Sequence, residues 1–190
     1  QLARSRMRSK MDRLEEAFNG HFDAHHRFLL TRMLARLDGI DADIAVLDEQ
    51  IEAYLAPFAA AAARLDEIPG IGPVAAAIIL AEIGTDMSVF PTAGHLCSWA
   101  KFSPGIKSSA GKTKGNASTG HGNRYLAQIL GEAAIAASRT DTFLGQRYRR
   151  IARRRGNKRA LVAVGRSILV IIWHLLDDPD ATFIDLGPDH

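Results

Sequence analysis

The sequence predicts an all-α fold, in which a long coiled-coil helix is followed by a compact helical domain containing a helix-hairpin-helix. Three observations lead to this prediction. Apolar residues recur at heptad spacing over residues 30–58, two apolar helical segments flank a Gly-Ile-Gly turn at residues 70–72, and the chain shows no alternation of strand-like and helix-like segments. We therefore predict a coiled-coil region over residues 1–60 and a helical domain over residues 61–190.

Composition limits the class of protein. A hydrophobic fraction of 47% is ordinary for a globular chain. Cys97 is the only cysteine, which excludes an internal disulfide framework and fits a reducing compartment. The longest apolar run, Ile168 to Leu176, is far shorter than the ~20 residues of a membrane helix, and no signal-peptide pattern follows Gln1. We expect a cytoplasmic protein with no membrane partner. The missing initial methionine indicates a processed chain or a fragment of a longer one.

The net charge of +3 conceals a strong asymmetry along the chain. The segment from Lys101 to Arg159 contains fourteen Lys or Arg residues against only Glu132 and Asp141, whereas the rest of the chain is net acidic. Positive charge concentrated in one segment favours a polyanionic partner, most simply nucleic acid. The alternative is a solvated basic face without a partner.

Residues 1–60 are predicted to form two helices. Residues 4–17 form a short charged helical pattern that Gly20 interrupts, and a long helix begins near Phe22. Its apolar positions are spaced alternately three and four residues apart, which is typical of a coiled coil and predicts self-association. Gly39 weakens this helix and Pro57 disturbs its end. The alternative is an intramolecular hairpin. The seam residues are Leu30, Met33, Leu37, Ile40, Ile44, Leu47, Ile51, Tyr54 and Phe58.

Two histidines in this region resemble part of a metal site. His21 and His25 are four residues apart and could share one helix face. A metal site needs at least a third ligand, and no residue nearby has the required spacing. We therefore assign no metal ligands in this chain.

Residues 65–84, LDEIPGIGPVAAAIILAEIG, show the helix-hairpin-helix pattern. Gly70 and Gly72 permit tight backbone geometry around Ile71, and Pro73 suits the first turn of the following helix. Backbone N–H groups at such a helix start form an anion site, so we expect Gly70, Ile71 and Gly72 to contact a nucleic-acid phosphate. The alternative is a plain helical corner that uses its small residues for packing.

A glycine- and serine-rich loop occupies residues 104–122 and contains GIKSSAGKT at 105–113. This stretch differs from a P-loop, because five residues rather than four separate Gly105 from Gly111, and no buried strand precedes it. We therefore expect no nucleotide hydrolysis, and a loop that is mobile by itself. Asn123 is placed to cap a helix over residues 124–138.

The last third of the chain combines a basic stretch with an apolar helix. Eight of the thirteen residues from Arg147 to Arg159 are Lys or Arg, and an apolar helix is predicted over residues 158–176. The residues expected to contact nucleic acid are Gly70, Ile71, Gly72, Lys107, Lys112, Lys114, Arg124, Arg149, Arg150, Arg153, Arg154, Arg155, Lys158 and Arg159.

Three segments in this order resemble the C-terminal domain of the insertion-sequence transposases of the "one-ten" family, the DEDD-type, bridge-RNA-guided recombinases. They are LDEIPGIGPVAAAIILAEIG, VFPTAGHLCSWAKFSPGIKSSAGKT and GNRYLAQILGEAA, and the resemblance extends from about Leu65 to Leu176. It implies donor and target DNA and a structured guide (bridge) RNA as partners, a homo-oligomer between dimer and tetramer, and association with the bacterial nucleoid.

The resemblance also implies where the chemistry lies. Family members carry an N-terminal RuvC-like domain with metal-binding acids, and a serine of the C-terminal domain forms a covalent phosphoserine with DNA. Ser109 fits the position of that nucleophile best and Ser108 is the alternative. Mg²⁺ is expected in the RuvC-like domain, with no cofactor in this chain, and the chain alone is expected to be inactive. One departure concerns a Lys-Arg pair that family members often place before Gly-Asn; here Gly120 and His121 precede Gly122-Asn123, which puts a phosphate contact there in doubt.

Overall fold

The structure is a computed structural model that describes residues 5–20, 22–105, 108–109, 112–113 and 119–189. The chain divides into two compact units, residues 1–54 and 55–190, each described by itself below. The sequence-based boundary was residue 60. The fold is all-α, as the periodicity predicted, apart from two paired strands of two residues each.

The first unit is built from helices with exposed apolar residues. A 3₁₀ turn, Ser5–Lys10, leads into α1, Met11–Asn19, and α2 spans Ala24–Leu55. Asp23 caps α2, since its carboxylate accepts a hydrogen bond from the His26 N–H at 3.0 Å, and this bond lowers the pKa of the Asp23 carboxyl. Gly39 lies within α2 without interrupting it. None of the described residues of α2 is buried, so its apolar row faces solvent along its whole length.

The second unit begins with a 3₁₀ turn, Ala56–Phe58, which contains Pro57. The helices that follow are α3 (Ala59–Asp66), α4 (Pro73–Ile83), α5 (Ala93–Trp99), α6 (Arg124–Ser138), α7 (Phe143–Arg155) and α8 (Asn157–Asp177). A further 3₁₀ turn, Met87–Val89, precedes α5. Side-chain caps begin three of these helices: Thr92 caps α5, Asn123 caps α6 as predicted, and Thr142 caps α7.

Helix α8 organises the core of this unit. It packs against α3, α5, α6 and α7, and one face of it is buried, including Val164, Ile168 and Ile172. By length and composition alone α8 could cross a membrane. Its packing explains the apolar composition instead, because a helix in contact with four others is apolar on several sides. Gly165 serves this packing, since a Cβ there would lie 2.5 Å from the Phe102 ring.

Part of the serine-rich loop forms two short paired strands that the sequence analysis did not predict. Strand β1, Ser108–Ser109, pairs antiparallel with β2, Lys112–Thr113. Backbone hydrogen bonds across such a pair need no buried side chain, which explains how a segment poor in apolar residues forms a hairpin.

Candidate nucleic-acid interface

The Gly-Ile-Gly turn packs closely on α6. Gly70 adopts a positive φ of 94°, and a Cβ there would lie 3.0 Å from the Ala137 nitrogen and closer still to the Ala133 carbonyl oxygen. Ile71 is buried in the core, and its N–H donates to the Ile68 carbonyl at 2.9 Å. The turn thus holds α4 against α6, and the Ile71 N–H is already used within the turn.

Free backbone donors lie one step further along the chain. Gly72 is extended and caps α4 without a side chain, and Pro73 at the first helical position has no N–H. The N–H groups of Val74 and Ala75 have no acceptor within the helix, as in any first turn. Val74 is also 73% exposed. The backbone donors available to an anion therefore lie at residues 72–75, at the start of α4, whereas the Ile71 N–H is occupied.

Both ends of the serine-rich loop are held at the helical core. At its start, the Phe102 ring lies against Gly165, and the Arg166 guanidinium donates to the Ser103 hydroxyl. Lys101, just before, has a φ of 62°, a left-handed conformation that is uncommon for a residue with a side chain. Arg166 was not among the sequence-based candidates, because its position in an apolar helix carries no signal of a contact 63 residues earlier.

The C-terminal end of the loop lies close to its N-terminal end, at Ala100. A Cβ on Gly122 would lie 2.7 Å from the Ala100 carbonyl oxygen, so only glycine permits this close approach. Asn123 donates from its amide to the Glu82 carboxylate, and its side-chain oxygen accepts from the Tyr125 and Leu126 N–H groups at 2.9 and 3.0 Å. The loop between residues 103 and 122 is therefore anchored at both ends.

The hairpin inside this loop gives each candidate serine a different cross-strand partner. Its register pairs Ser109 with Lys112 and Ser108 with Thr113. Lys112 is exposed to solvent. Lys107 and Lys114, the other lysines expected to meet phosphate, lie outside the described residues.

Helix α7 lines a basic cleft with a volume of about 400 Å³. Pro188 and Asp189 form part of its other wall. We call this the arginine cleft, and its arginines are Arg147, Arg149, Arg150, Arg153 and Arg154. Arg155, Lys158 and Arg159, also expected to contact nucleic acid, are exposed around Gly156, where α7 gives way to α8.

Two arginines of the cleft differ from the others. Arg149 donates to the Ser138 and Thr140 carbonyls at 3.0 Å each and pairs with Asp141 at 3.2 Å, so its guanidinium supports the end of α6. Arg147, not among the sequence-based candidates, has a buried Nε with no hydrogen-bond partner among the described residues. The roles of Arg147 and Arg149 differ because the two residues lie on different faces of α7. Amino-acid composition does not predict this difference.

Arg124 lies at the start of α6, next to the anchored loop. Its guanidinium carbon is 4.6 Å from the centre of the Tyr125 ring, and its nitrogen donates to the Tyr125 hydroxyl at 2.6 Å. Both residues are exposed, so this stacked pair presents a cation and an aromatic face to solvent.

Other reactive groups are few in the part of the chain that the structure describes. No three His, Cys, Asp or Glu side chains lie close enough together there to hold a metal ion. Cys97 is fully buried, and burial raises the pKa of its thiol while the charge of Arg166 opposes the shift. A neutral buried thiol is a poor nucleophile, so Cys97 is a packing residue.

Comparison with known proteins finds sequence similarity to transposases. Residues 62–149 match the family model described as "Transposase IS116/IS110/IS902 family". The chain is also 33% identical over 115 residues to "Insertion element IS110 uncharacterized 43.6 kDa protein" of Streptomyces coelicolor. That alignment covers 60% of this chain and 28% of the relative, so the chain corresponds to a minor part of that protein's length.

Proposed function

We propose that this chain is part of an insertion-sequence transposase that binds DNA and supplies a serine nucleophile for strand cleavage and exchange. The observation that carries this proposal is the match of residues 62–149 to the transposase family. The matched range includes the Gly-Ile-Gly turn, both serines and the first half of α7, and it ends before Arg150 and the basic residues that follow.

Ser109 is the better candidate for the nucleophile. The hairpin register gives it Lys112 as its cross-strand partner, whereas Ser108 is paired with Thr113. Phosphoryl transfer depends on positive charge around the transferred group. A cation at the paired position would stabilise charge developing near Ser109, with Lys107 and Lys114 as further cations of the same loop.

The proposed reaction is a transesterification. The serine oxygen forms a bond to the phosphorus of a DNA phosphodiester, the bond from phosphorus to one sugar oxygen breaks, and that oxygen ends with the proton that the serine lost. Serine is a weak nucleophile and needs assistance. Anchoring of the loop by Phe102, Arg166 and Asn123 supports the positioning part of that assistance.

Nucleic acid would bind on several surfaces of the second unit. The N–H groups at residues 72–75 suit a single phosphate. Arg124, the exposed arginines of the arginine cleft and the cluster Arg155, Lys158 and Arg159 suit a longer stretch of backbone. We propose donor and target DNA and a guide RNA as the ligands, in a cytoplasmic, nucleoid-associated complex.

Mg²⁺, if the reaction uses it, does not fit the described residues, because they provide no cluster of three potential ligands. We propose that its ligands belong to a RuvC-like domain outside this chain, and that the chain alone therefore does not cleave DNA. The exposed apolar row of α2 supports a homo-oligomer, between a dimer and a tetramer.

The test uses the longer protein that contains this chain, together with its guide RNA and a DNA substrate. We expect Ser109→Ala to abolish recombination and the covalent protein–DNA adduct, and mass spectrometry of the wild-type adduct to place a phosphate on Ser109. Ser98→Ala, at an exposed serine of α5, is the matched control and should keep full activity.

An adduct on Ser108 would reverse the order of the two candidates. Full activity of both Ser109→Ala and Ser108→Ala would refute the serine chemistry. A helix-hairpin-helix module that binds nucleic acid and oligomerises without catalysis would then be the better description, supported by the packed turn at Gly70 and the arginine cleft.

A further inference from the structure

A second cavity, distinct from the arginine cleft, lies at the anchored base of the serine loop. Its volume is about 320 Å³, and we call it the loop-base pocket. Lys101, Phe102, Thr119, Gly120 and Gly122 contribute one side of it, from the two ends of the loop. The helices α6 and α8 contribute the other side. The pocket is therefore lined by the two ends of the segment that carries Ser108 and Ser109.

The floor of the pocket is apolar and made mostly of small residues. Ala127 and Gly131 of α6 and Leu161 and Val162 of α8 line it. No acidic residue is among its described lining residues. Its two charged groups are Lys101 and Lys158, both exposed. An apolar floor with cations at the edge suits a ligand that has a flat apolar part and an attached anion.

Gly131 has no packing reason to be glycine. It lies inside α6, where glycine is the least favourable residue after proline. A Cβ there would meet nothing within 4 Å, and its φ is not positive, so neither crowding nor backbone strain excludes a side chain. In contrast to Gly122, which close backbone approach requires, Gly131 serves to leave space in the pocket.

We propose that the loop-base pocket receives an unpaired base of the DNA strand on which the serine loop acts, with Lys101 and Lys158 on the flanking phosphates. This inference rests on the proposed function. The volume lies at the small end of ligand pockets, which suits one base and excludes a duplex. Enzymes that modify a base extrude it from the stack into a pocket, which shows that a single base can be held in this way. Here such capture would fix the neighbouring phosphate relative to the loop.

The experiment measures binding of the full chain to a fluorescein-labelled single-stranded oligodeoxynucleotide. The comparison oligonucleotide has the same backbone with abasic tetrahydrofuran residues throughout. We expect the base-bearing strand to bind about tenfold more tightly, because each captured base adds to affinity. Gly131→Leu, which fills the pocket, should remove most of this preference and leave the affinity for the abasic strand unchanged.

Controls separate the pocket from the fold. Ala136→Leu adds the same side chain at an exposed position of α6 that does not line the pocket, and should keep the preference. Ala127→Leu fills the pocket one turn earlier and serves if Gly131→Leu does not fold. Lys158→Gln should weaken binding of both strands, because it removes a phosphate contact.

If Gly131→Leu and Ala127→Leu both keep the preference for the base-bearing strand, the inference about the pocket is overturned. The proposal that the chain binds nucleic acid would still stand. The same comparison is made with an oligoribonucleotide of the same sequence. If Gly131→Leu removes the preference for base-bearing RNA but keeps the preference for base-bearing DNA, the assignment to the DNA strand is overturned. If the wild-type chain binds neither strand at any salt concentration, the proposed function itself fails, and this outcome is distinguishable from the other two.

Discussion

Gly70 and Gly72 lie two positions apart in one turn, yet the structure demands glycine at only one of them. Gly70 combines a positive φ of 94° with close contact to the backbone of α6. Gly72 has a φ of −116°, and a Cβ there would meet nothing within 4 Å. Gly70 is thus required by the packing of the turn, whereas Gly72 leaves open space at the start of α4.

Gly70→Ala should destabilise the second unit strongly and Gly72→Ala should not. We expect the first change to lower the free energy of unfolding by about 2–4 kcal/mol, since the left-handed backbone and the overpacking against Ala133 both oppose a Cβ. Thermal unfolding followed by circular dichroism measures the difference. Equal melting temperatures for the two variants would contradict the packed position of Gly70.

At the scale of elements, α7 divides its arginines between structure and surface. Arg149 donates to carbonyls at the end of α6, where four carbonyls of any helix lack intrahelical partners. Arg150, its neighbour, is exposed and lines the arginine cleft. In α7, Arg149 thus stabilises the end of α6, and Arg150 presents positive charge to solvent.

These two arginines form a matched pair for mutation. Arg149→Ala should lower the free energy of unfolding by about 1–3 kcal/mol, because it leaves carbonyls of a partly buried helix end without their donor. Arg150→Ala should leave stability unchanged, weaken DNA binding, and reduce the slope of log affinity against log salt by about one. Thermal unfolding and fluorescence anisotropy at several salt concentrations measure both. The reverse pattern would exchange the roles assigned to the two residues.

At the scale of the whole molecule, the two units differ in how they treat apolar residues. The second unit buries them in one core around α8. In the first unit, the heptad positions of α2 are exposed, with Met33 at 62% and Leu37 at 55%. A contiguous apolar row of this length is expected to be covered by another helix, and its strict spacing suits a second copy of α2.

Ile40→Asp and Ile44→Asp should therefore reduce the mass of the particle in solution. Each places a charge in the seam of the proposed coiled coil, where it would lose hydration without gaining a partner. Ala42→Asp, at an exposed position of α2 outside the seam, is the control. Light scattering coupled to size-exclusion chromatography measures the mass. A monomeric wild-type chain, or unchanged masses in both seam variants, would argue against an intermolecular seam.

Several elements could be predicted because their signals are local. The cap at Asn123, the start of α4 at Pro73 and the length of α2 depend on residues within one or two turns, and the structure has them as expected. Fold class followed from the same local periodicities. Parts of the candidate interface were also local: the concentration of arginines in α7 is visible in the sequence alone.

By itself, the sequence determined an all-α chain, a heptad helix, a Gly-Ile-Gly turn and a basic segment, because periodicity, caps and charge act over a few residues. Only the tertiary structure decided that Arg149 supports α6, that Arg166 holds Ser103, and that Gly131 lines a pocket together with the two ends of the serine loop. Those roles arise from contacts between residues far apart in the chain. The direction of each side chain there is set by how the helices pack, which no short stretch of sequence encodes.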